Sequence, residues 1–474
     1  IFLKNFHDSQ LVKEKKHMEQ SIEKVVEHIK ANIDQGVSDL AKLVSIPGCA
    51  FKGFDPKDLE KCADAVASLL KERGFENVEL MRVKDTPPYV YADYLHAPGK
   101  PTVLFYAHYD VQPAGDTKLW KSPPFELTRR PGDGGERLFG RGAVDNKVAI
   151  TMLTSIVSAF LNTTKNLPVN IKLLCEGEEE IGGPHFPELL NQNKKKFAQD
   201  IIVINDSGNE VTGEPTLTTS LRGACLIEIE LRGMSKSVHS GYFGGLVPDP
   251  AMALAKILAS FTDDRGRLTI KEILDKVPEL ASYEREALRK IPFNEKRCRE
   301  QVGMLPNAEI PIHAHSPMEQ LWRFPNLTVT SFQASTREQA RNNINATAWA
   351  RIDLRLAPGM DSKEISEILM STIKKAVPKK FECTLSNLQL FNGWATDPYR
   401  GKHAKILQAA AESFKKGFGR DVSFIGCGAS VPLVKVLQDI FSDPPQIVGG
   451  LADALANFHG ENEGLLIDEL LKTS

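Results

Sequence analysis

Hydrophobic and polar positions fall into two textures along the chain. From Ile22, apolar residues recur at Val25, Val26, Ile29 and Ile33, then at Val37, Leu40 and Val44. This is helical spacing, and it stops at Ile46-Pro47-Gly48. Short continuous apolar runs follow: TVLFY (Thr102–Tyr106), VNIKLL (Val169–Leu174) and DIIVIN (Asp200–Asn205). Each reads as a buried strand, and a helical pattern from about Lys147 to Leu161 separates the first two. Strands alternating with helices predict an α/β fold with a mainly parallel, doubly wound sheet covered on both faces. In such sheets ligands bind beyond the carboxyl ends of the strands.

After Leu221-Arg222-Gly223 the texture changes. CLIEIELRG alternates like a half-exposed strand, and a helix follows Pro250 with Ala251, Leu254, Ile257, Leu258 and Phe261 on one face. In NATAWARIDLRLAPG, Ala348, Ala350, Ile352, Leu354 and Leu356 share one face, and Thr347, Trp349, Arg351, Asp353 and Arg355 share the other. That alternation predicts an antiparallel sheet with helices on one side, an α+β arrangement. After NGWATDP the first texture resumes, with a helix near Ile406–Phe418 and the apolar segment PQIVGG. The expected organisation is a smaller domain, residues 222–389, inserted into a larger discontinuous one, residues 18–221 and 390–474. Residues 1–17 are expected to be a peripheral arm or an appended segment.

A chain of 474 residues is too long for one compact core, which agrees with two domains. Its formal net charge of −2 argues against nucleic acid or an anionic membrane as main partner, since both need a basic surface. No apolar run reaches transmembrane length, and the charged N-terminal stretch lacks the apolar core of a signal peptide. Seven scattered cysteines, none in C-x-x-C spacing, fit reduced thiols in a cytoplasm better than a disulfide framework or a cysteine-ligated zinc.

The chemistry-bearing residues gather where the predicted strands end. TVLFYA leads into His108-Tyr109-Asp110, VNIKLLC into CEGEEEIGG, and DIIVIN into Asp206. GRGAVDNK offers Asp145 just before a helix, and the last strand-like segment leads to His459. Singly, each has an ordinary reading. Asp145 would serve as a helix N-cap, Asp206 as a turn residue, and a glutamate run as a solvated face. Together, two histidines and three carboxylates at successive strand ends suffice for two metal ions sharing one bridging carboxylate.

The ordered set YAHYDVQP, GRGAVDNK, EGEEEIGG, INDSG, VHSGYFGG, DLRLAPG and HGENE resembles the di-zinc metallopeptidases that include carnosinase, cytosolic non-specific dipeptidase, aminoacylase and glutamate carboxypeptidase. The resemblance runs from about Met18 to the end and is closest to the carnosinase and cytosolic dipeptidase branch. It implies a catalytic di-metal domain and a lid domain that also mediates homodimerisation. It implies that Asp145 bridges the metals, that His459 and Glu180 complete one site, and that His108 and Asp206 complete the other. Asp110 is then the carboxylate that orients the His108 imidazole. Glu179 is the general base acting on the water between the metals, while Glu176 and Glu178 stay with the solvent. His239 matches a lid histidine that, in dimeric members, stabilises the oxyanion in the partner's site. Arg355 clamps the substrate carboxylate, and Asn342 and the loop residue Ser430 also contact substrate.

The implied cofactors are two divalent ions per subunit, zinc first, with manganese or cobalt compatible. The implied activity is hydrolysis of dipeptides or similarly small amides. Asp206, rather than a glutamate, associates with the aminopeptidase and dipeptidase branch. Ala429 and Asn345 stand where close relatives carry glycine and many members carry proline. The competing expectations are an N-acyl-amino-acid amidohydrolase or carboxypeptidase on the same metal core, and a catalytically silent, metal-stabilised dimeric binding protein.

Overall fold

The computed structural model describes residues 18–474. Among them the chain forms two compact units. One holds the residues up to Thr218 together with Asp397–Phe424 and Val436–Ser474; the other holds Thr219–Thr396 and Ile425–Lys435. The N-terminal arm, residues 1–17, lies outside the described residues.

The first unit is built on a sheet whose strands run in the order Glu76–Met81, Tyr89–Tyr94, Asn170–Glu176, Thr102–His108, Ile201–Asn205, Gln446–Gly449 and Thr216–Leu221. The four strands from Asn170–Glu176 to Gln446–Gly449 pair in parallel. The strands outside them pair antiparallel. The sheet is therefore mixed, with the expected parallel character confined to its centre. Short connections, such as that between Met81 and Tyr89, can only reverse the chain, whereas parallel neighbours need a crossover. The central strands are apolar on both faces; Ile171 to Glu176 are all buried, as a two-sided strand requires.

Helices cover that centre for local reasons. Pro56–Glu72 starts with the Asp55 carboxylate accepting the Lys57 N–H at 3.0 Å and a proline in its first turn. Its Leu59, Cys62, Ala63, Val66 and Leu70 pack with Ile150, Leu153 and Val157 of Lys147–Thr163 in one core. The Lys147 ammonium is fully buried and donates to the carbonyls of Leu43 (2.8 Å) and Ile46 (2.7 Å), where the helix Ile33–Val44 ends. A cation is favoured at a helix C-terminus, so this contact ties down the start of Lys147–Thr163, which Asn146 alone separates from Asp145. The long helical pattern from Ile22 is two helices, because the chain turns at Asn32.

The second unit contains a four-stranded antiparallel sheet, ordered Asn326–Gln333, Thr347–Leu356, Gly223–Arg232, Glu382–Phe391. Thr347–Leu356 buries every second residue, so that Ala348, Ala350, Ile352, Leu354 and Leu356 face the core. Pro250–Ala259 and Ser362–Ala376 pack there through Leu254, Ile257, Ile365, Leu369 and Ile373. Fully burying each large aliphatic side chain contributes roughly 1.5–3 kcal/mol, so the stripe largely sets this sheet's register. The segment Ile425–Lys435 groups with this unit. Thr219 donates to the Ile425 carbonyl at 3.0 Å, and the Arg222 amide donates to Ala429 at 3.2 Å.

Candidate metal centre

Each central parallel strand of the first unit ends at the same edge. His108 is the last residue of its strand, Glu176 closes the next, and Asp206 follows Asn205. The His108 ring is buried, with Nδ1 lying 3.0 Å from the Asp110 carbonyl and 3.4 Å from its carboxylate. Nε2 is thereby aimed outward, 3.0 Å from Asp145 Oδ1 and 3.5 Å from Asp206 Oδ1. On the other side, His459 Nε2 lies 3.0 Å from Asp145 Oδ2 and 3.3 Å from Glu180 Oε2.

Two triads result: His108, Asp145 and Asp206; and Asp145, Glu180 and His459. Within each, the donor atoms lie within 4.8 Å of one another. Asp145 turns one oxygen to each triad, the arrangement a bridging carboxylate needs. The donor set is imidazole and carboxylate without thiolate, which suits zinc and tolerates manganese or cobalt.

The protonation tendencies describe a site with excess negative charge. Burial, then the charge of Asp206, pushes the Glu179 carboxyl well above the usual range. Glu180 is also raised, chiefly by burial. Hydrogen bonds to Asp145 and Glu180 raise His459 to about 10. For His108, burial alone would lower the pKa, but Asp206, Asp110 and Asp145 outweigh it and hold the ring well above 6.5. Asp145 goes the other way: burial would raise it, but hydrogen bonds to His108 and His459 hold it well below the usual carboxylate range, so protonated rings stand on either side of an ionised bridge.

The four carboxylates of CEGEEEIGG fall into two pairs with different surroundings. The Asp110 carboxylate, fully buried, accepts the backbone N–H of Glu179 at 3.2 Å and of Glu180 at 3.1 Å. One short turn, Glu179–Ile181, therefore presents adjacent carboxylates from a fixed backbone. Gly182 (φ 89) and Gly183 (φ 55) close that turn in the left-handed region. A Cβ on Gly183 would also stand 2.6 Å from Glu176 Oε1.

Glu176 and Glu178 do not stay with the solvent: they are 1% and 2% exposed. Glu176 accepts the Tyr106 hydroxyl at 2.7 Å, and burial pushes its carboxyl well above the usual range. Glu178 accepts the Tyr89 hydroxyl at 2.5 Å and the His185 N–H at 3.0 Å. Their partners lie up to 89 residues away, so a charge count along the chain could not find them.

Two residues inside the quoted motifs, Asn146 of GRGAVDNK and Gln112 of YAHYDVQP, were given no role by the sequence reading and also stand at the triads. The Asn146 amide donates to the Asn205 carbonyl (2.6 Å) and to Asp206 (3.2 Å), and its oxygen accepts the His108 N–H at 3.4 Å. Gln112 donates to Glu180 Oε2 at 2.8 Å. Buried metal ligands are normally steadied by such partners, which was the available signal.

The expected substrate residues fall in the second unit, in two groups. Arg355 pairs with Asp353 at 2.9 Å and donates to the Ser430 hydroxyl at 2.9 Å, while Arg222 Nε donates to the Gly428 carbonyl of the same loop at 2.7 Å. His239 is exposed and opposite Asn343 in a short antiparallel pair. Its neighbour Ser240 donates to the Asn342 carbonyl through both N–H (2.8 Å) and hydroxyl (2.9 Å). Thus Arg355 and Ser430 are brought together, and so are His239 and Asn342.

A model of peptidase family M20/M25/M40 matches residues 104–474. The chain is 32% identical over 368 residues to the cysteinylglycine-S-conjugate dipeptidase of Corynebacterium striatum, covering 77% of each. Its fold is similar to that of human carnosine dipeptidase 1, with a TM-score of 0.78, 26% identity, and 95% of this chain and 96% of that one covered. It is also similar to an M20 family metallo-carboxypeptidase from Sulfolobus solfataricus, with a TM-score of 0.80, 26% identity, and coverage of 92% and 96%.

Proposed function

The chain belongs to peptidase family M20/M25/M40, and from that premise we propose that it is a metal-dependent exopeptidase that hydrolyses dipeptides through a water activated by Glu179. The observation that carries the reading is the pair of triads sharing Asp145, with Glu179 fixed beside Glu180 by the Asp110 carboxylate. The side chains fit two divalent cations: His108, Asp145 and Asp206 would hold one, and Asp145, Glu180 and His459 the other. Cations bound there would supply Lewis-acid polarisation of the scissile carbonyl and would lower the pKa of the attacking water.

Glu179 takes the proton from that water and delivers it to the leaving amine. Burial opposes ionisation of the Glu179 carboxyl, and cations bound beside it would favour the carboxylate a base needs. His239 donates to the oxyanion as the carbonyl becomes tetrahedral, a contribution on the order of 3 kcal/mol to lowering the barrier. Arg355, steadied by Asp353 and Ser430, holds the substrate carboxylate with its forked guanidinium, and Asn342 contacts the same group.

Residues 222–389 would act as the lid and dimerisation domain, with residues 18–221 and 390–474 catalytic. A homodimer through the lid is supported by the exposed apolar side chains beside His239, where Tyr242 is 82% and Leu246 81% exposed. Zinc is the proposed metal. The cytoplasm is the proposed compartment, supported by seven free cysteines, four of them buried. No helix among the described residues is long and apolar enough to cross a membrane.

The similarity to a metallo-carboxypeptidase favours one second reading, carboxypeptidase cleavage by the same centre, and an N-acyl-amino-acid amidohydrolase on that centre is tested beside it. A metal-replete screen of Xaa-Xaa dipeptides against N-acetyl amino acids and longer peptides, with a chelated control, separates them. Dipeptides should be turned over fastest, and a preference for acylated substrates would overturn the dipeptidase assignment.

A further inference from the structure

We propose that the buried ion pair Arg141–Glu463 is the positioning device of the metal centre, locking the bridging Asp145 and the His459 loop into one geometry. The inference rests on the metal-centre reading above. Glu463 is fully buried, and its carboxylate spends its lone pairs on a single loop. Oε2 accepts Arg141 Nη1 at 2.8 Å and the Gly142 N–H at 2.9 Å. Oε1 accepts the N–H of Val144 at 2.8 Å and of Asp145 itself at 3.1 Å. The residue bridging the two triads thus hangs from Glu463 by its own amide.

Arg141 extends the lock to the other side of the centre. It is 1% exposed, and its Nη2 donates to the Gly460 carbonyl at 2.9 Å, one residue after His459, and to the Pro113 carbonyl at 3.2 Å. The loop it holds is strained: Asn457 (φ 50), His459 (φ 63) and Asn462 (φ 61) all occupy the left-handed region, which costs non-glycine residues of order 1 kcal/mol or more each. Such a backbone persists only where surrounding contacts over-determine it. Arg141 supplies one of them, and the Asn462 side chain supplies others by donating to the Leu119 carbonyl at 2.8 Å and accepting the Lys121 N–H at 2.8 Å.

The fold explains why the two residues meet although 322 positions separate them. Gly464–Leu466 pairs antiparallel with Gly135–Phe139, with Gly464 opposite Phe139. That ladder delivers Glu463 beside the loop Gly140–Asp145 and is extended by the Gly140 N–H donating to the Glu463 carbonyl at 3.0 Å. Asp110 and Glu463 then divide the work: Asp110 holds the amides of Glu179 and Glu180, and Glu463 holds the amide of Asp145.

The test is Glu463→Gln in the full chain, stripped of metal and titrated with zinc or manganese against a chromophoric chelator, with thermal melting of the metal-free form in parallel. Gln keeps the size but turns an N–H₂ towards amide donors. Loss of such an outer partner is expected to weaken metal binding about ten- to a hundredfold. The larger loss should fall on the equivalent held by Asp145, Glu180 and His459. Excess metal should restore kcat with KM for a dipeptide unchanged. If Glu463→Gln does not fold, Arg141→Lys, which keeps the charge but loses the fork to Gly460, is measured the same way. Lower melting with both equivalents within threefold of wild-type affinity would overturn the proposal and leave the pair as scaffolding. Wild-type protein that takes up no metal would overturn the metal-centre reading instead.

Discussion

Asp110→Asn probes the turn that carries Glu179 and Glu180. In the native chain one buried carboxylate accepts two amide hydrogens, from Glu179 at 3.2 Å and Glu180 at 3.1 Å. Asn retains one acceptor oxygen and points an N–H₂ at the second amide. One hydrogen bond to a charged acceptor is lost, about 1.5–3 kcal/mol, and a buried N–H is left unpaired, so a net cost of about 2–4 kcal/mol is expected. In a unit of this size that lowers the melting temperature by on the order of 5 °C. The larger effect is on chemistry, because Glu179–Ile181 moves as one turn. Metal affinity should fall about ten- to a hundredfold through Glu180. Misplacing Glu179 by about an ångström should reduce kcat about a hundredfold even at saturating metal. The assays are chelator-competition titration and steady-state dipeptide hydrolysis at saturating metal. Metal affinity and kcat both within threefold of wild type would refute the idea that Asp110 sets the turn.

Glu178→Gln should cost about 1–3 kcal/mol in urea or thermal unfolding, since it disturbs the buried contacts to Tyr89 and His185, yet leave kcat nearly intact; a hundredfold loss of kcat would move Glu178 into the catalytic set. Arg355→Lys removes the forked guanidinium, with its paired contact to Asp353 and its single one to Ser430, and should raise dipeptide KM tenfold or more, with little change for a C-terminally amidated substrate; equal losses on both would contradict the carboxylate clamp. Glu469, buried and accepting Asn209 Nδ2 (2.8 Å) and the Gly213 N–H (2.5 Å), is raised above 4.5 by burial. Between the unfolded and folded pKa the native state holds the extra proton, so stability falls as pH rises from about 4.5 upward. Glu469→Gln should therefore flatten the melting-temperature decline in that window, and an unchanged slope would refute it. Ile352→Ala in the buried stripe of the second unit should cost about 2–5 kcal/mol, read by denaturant unfolding, and a neutral effect would contradict the packing described.

Much of the fold was legible because burial leaves a periodic trace. The runs TVLFY, VNIKLL and DIIVIN became the central strands, and the Ala348–Leu356 alternation became the buried stripe. What periodicity cannot encode is pairing over long separations. The antiparallel flanks depend on which strands meet, and Ile425–Lys435 joins the second unit through contacts to Thr219 and Arg222 more than two hundred residues away. The same limit applies in the site. The residues gathered into the triads stood out because they end successive strands. Glu176 and Glu178 looked solvated because Tyr106 and Tyr89 are remote, and Glu463 was hidden in HGENE because Arg141 belongs to another motif.

The central claim is that, of two adjacent glutamates, Glu180 serves the metal and Glu179 the water. Metal stoichiometry and kcat, measured on the same preparations of Glu179→Gln and Glu180→Gln, test it most directly. The account predicts that Glu179→Gln keeps two metal equivalents while kcat falls about 10²–10⁴-fold, and that Glu180→Gln loses one equivalent. Wild-type turnover by Glu179→Gln, or loss of metal from it with full occupancy in Glu180→Gln, would contradict it.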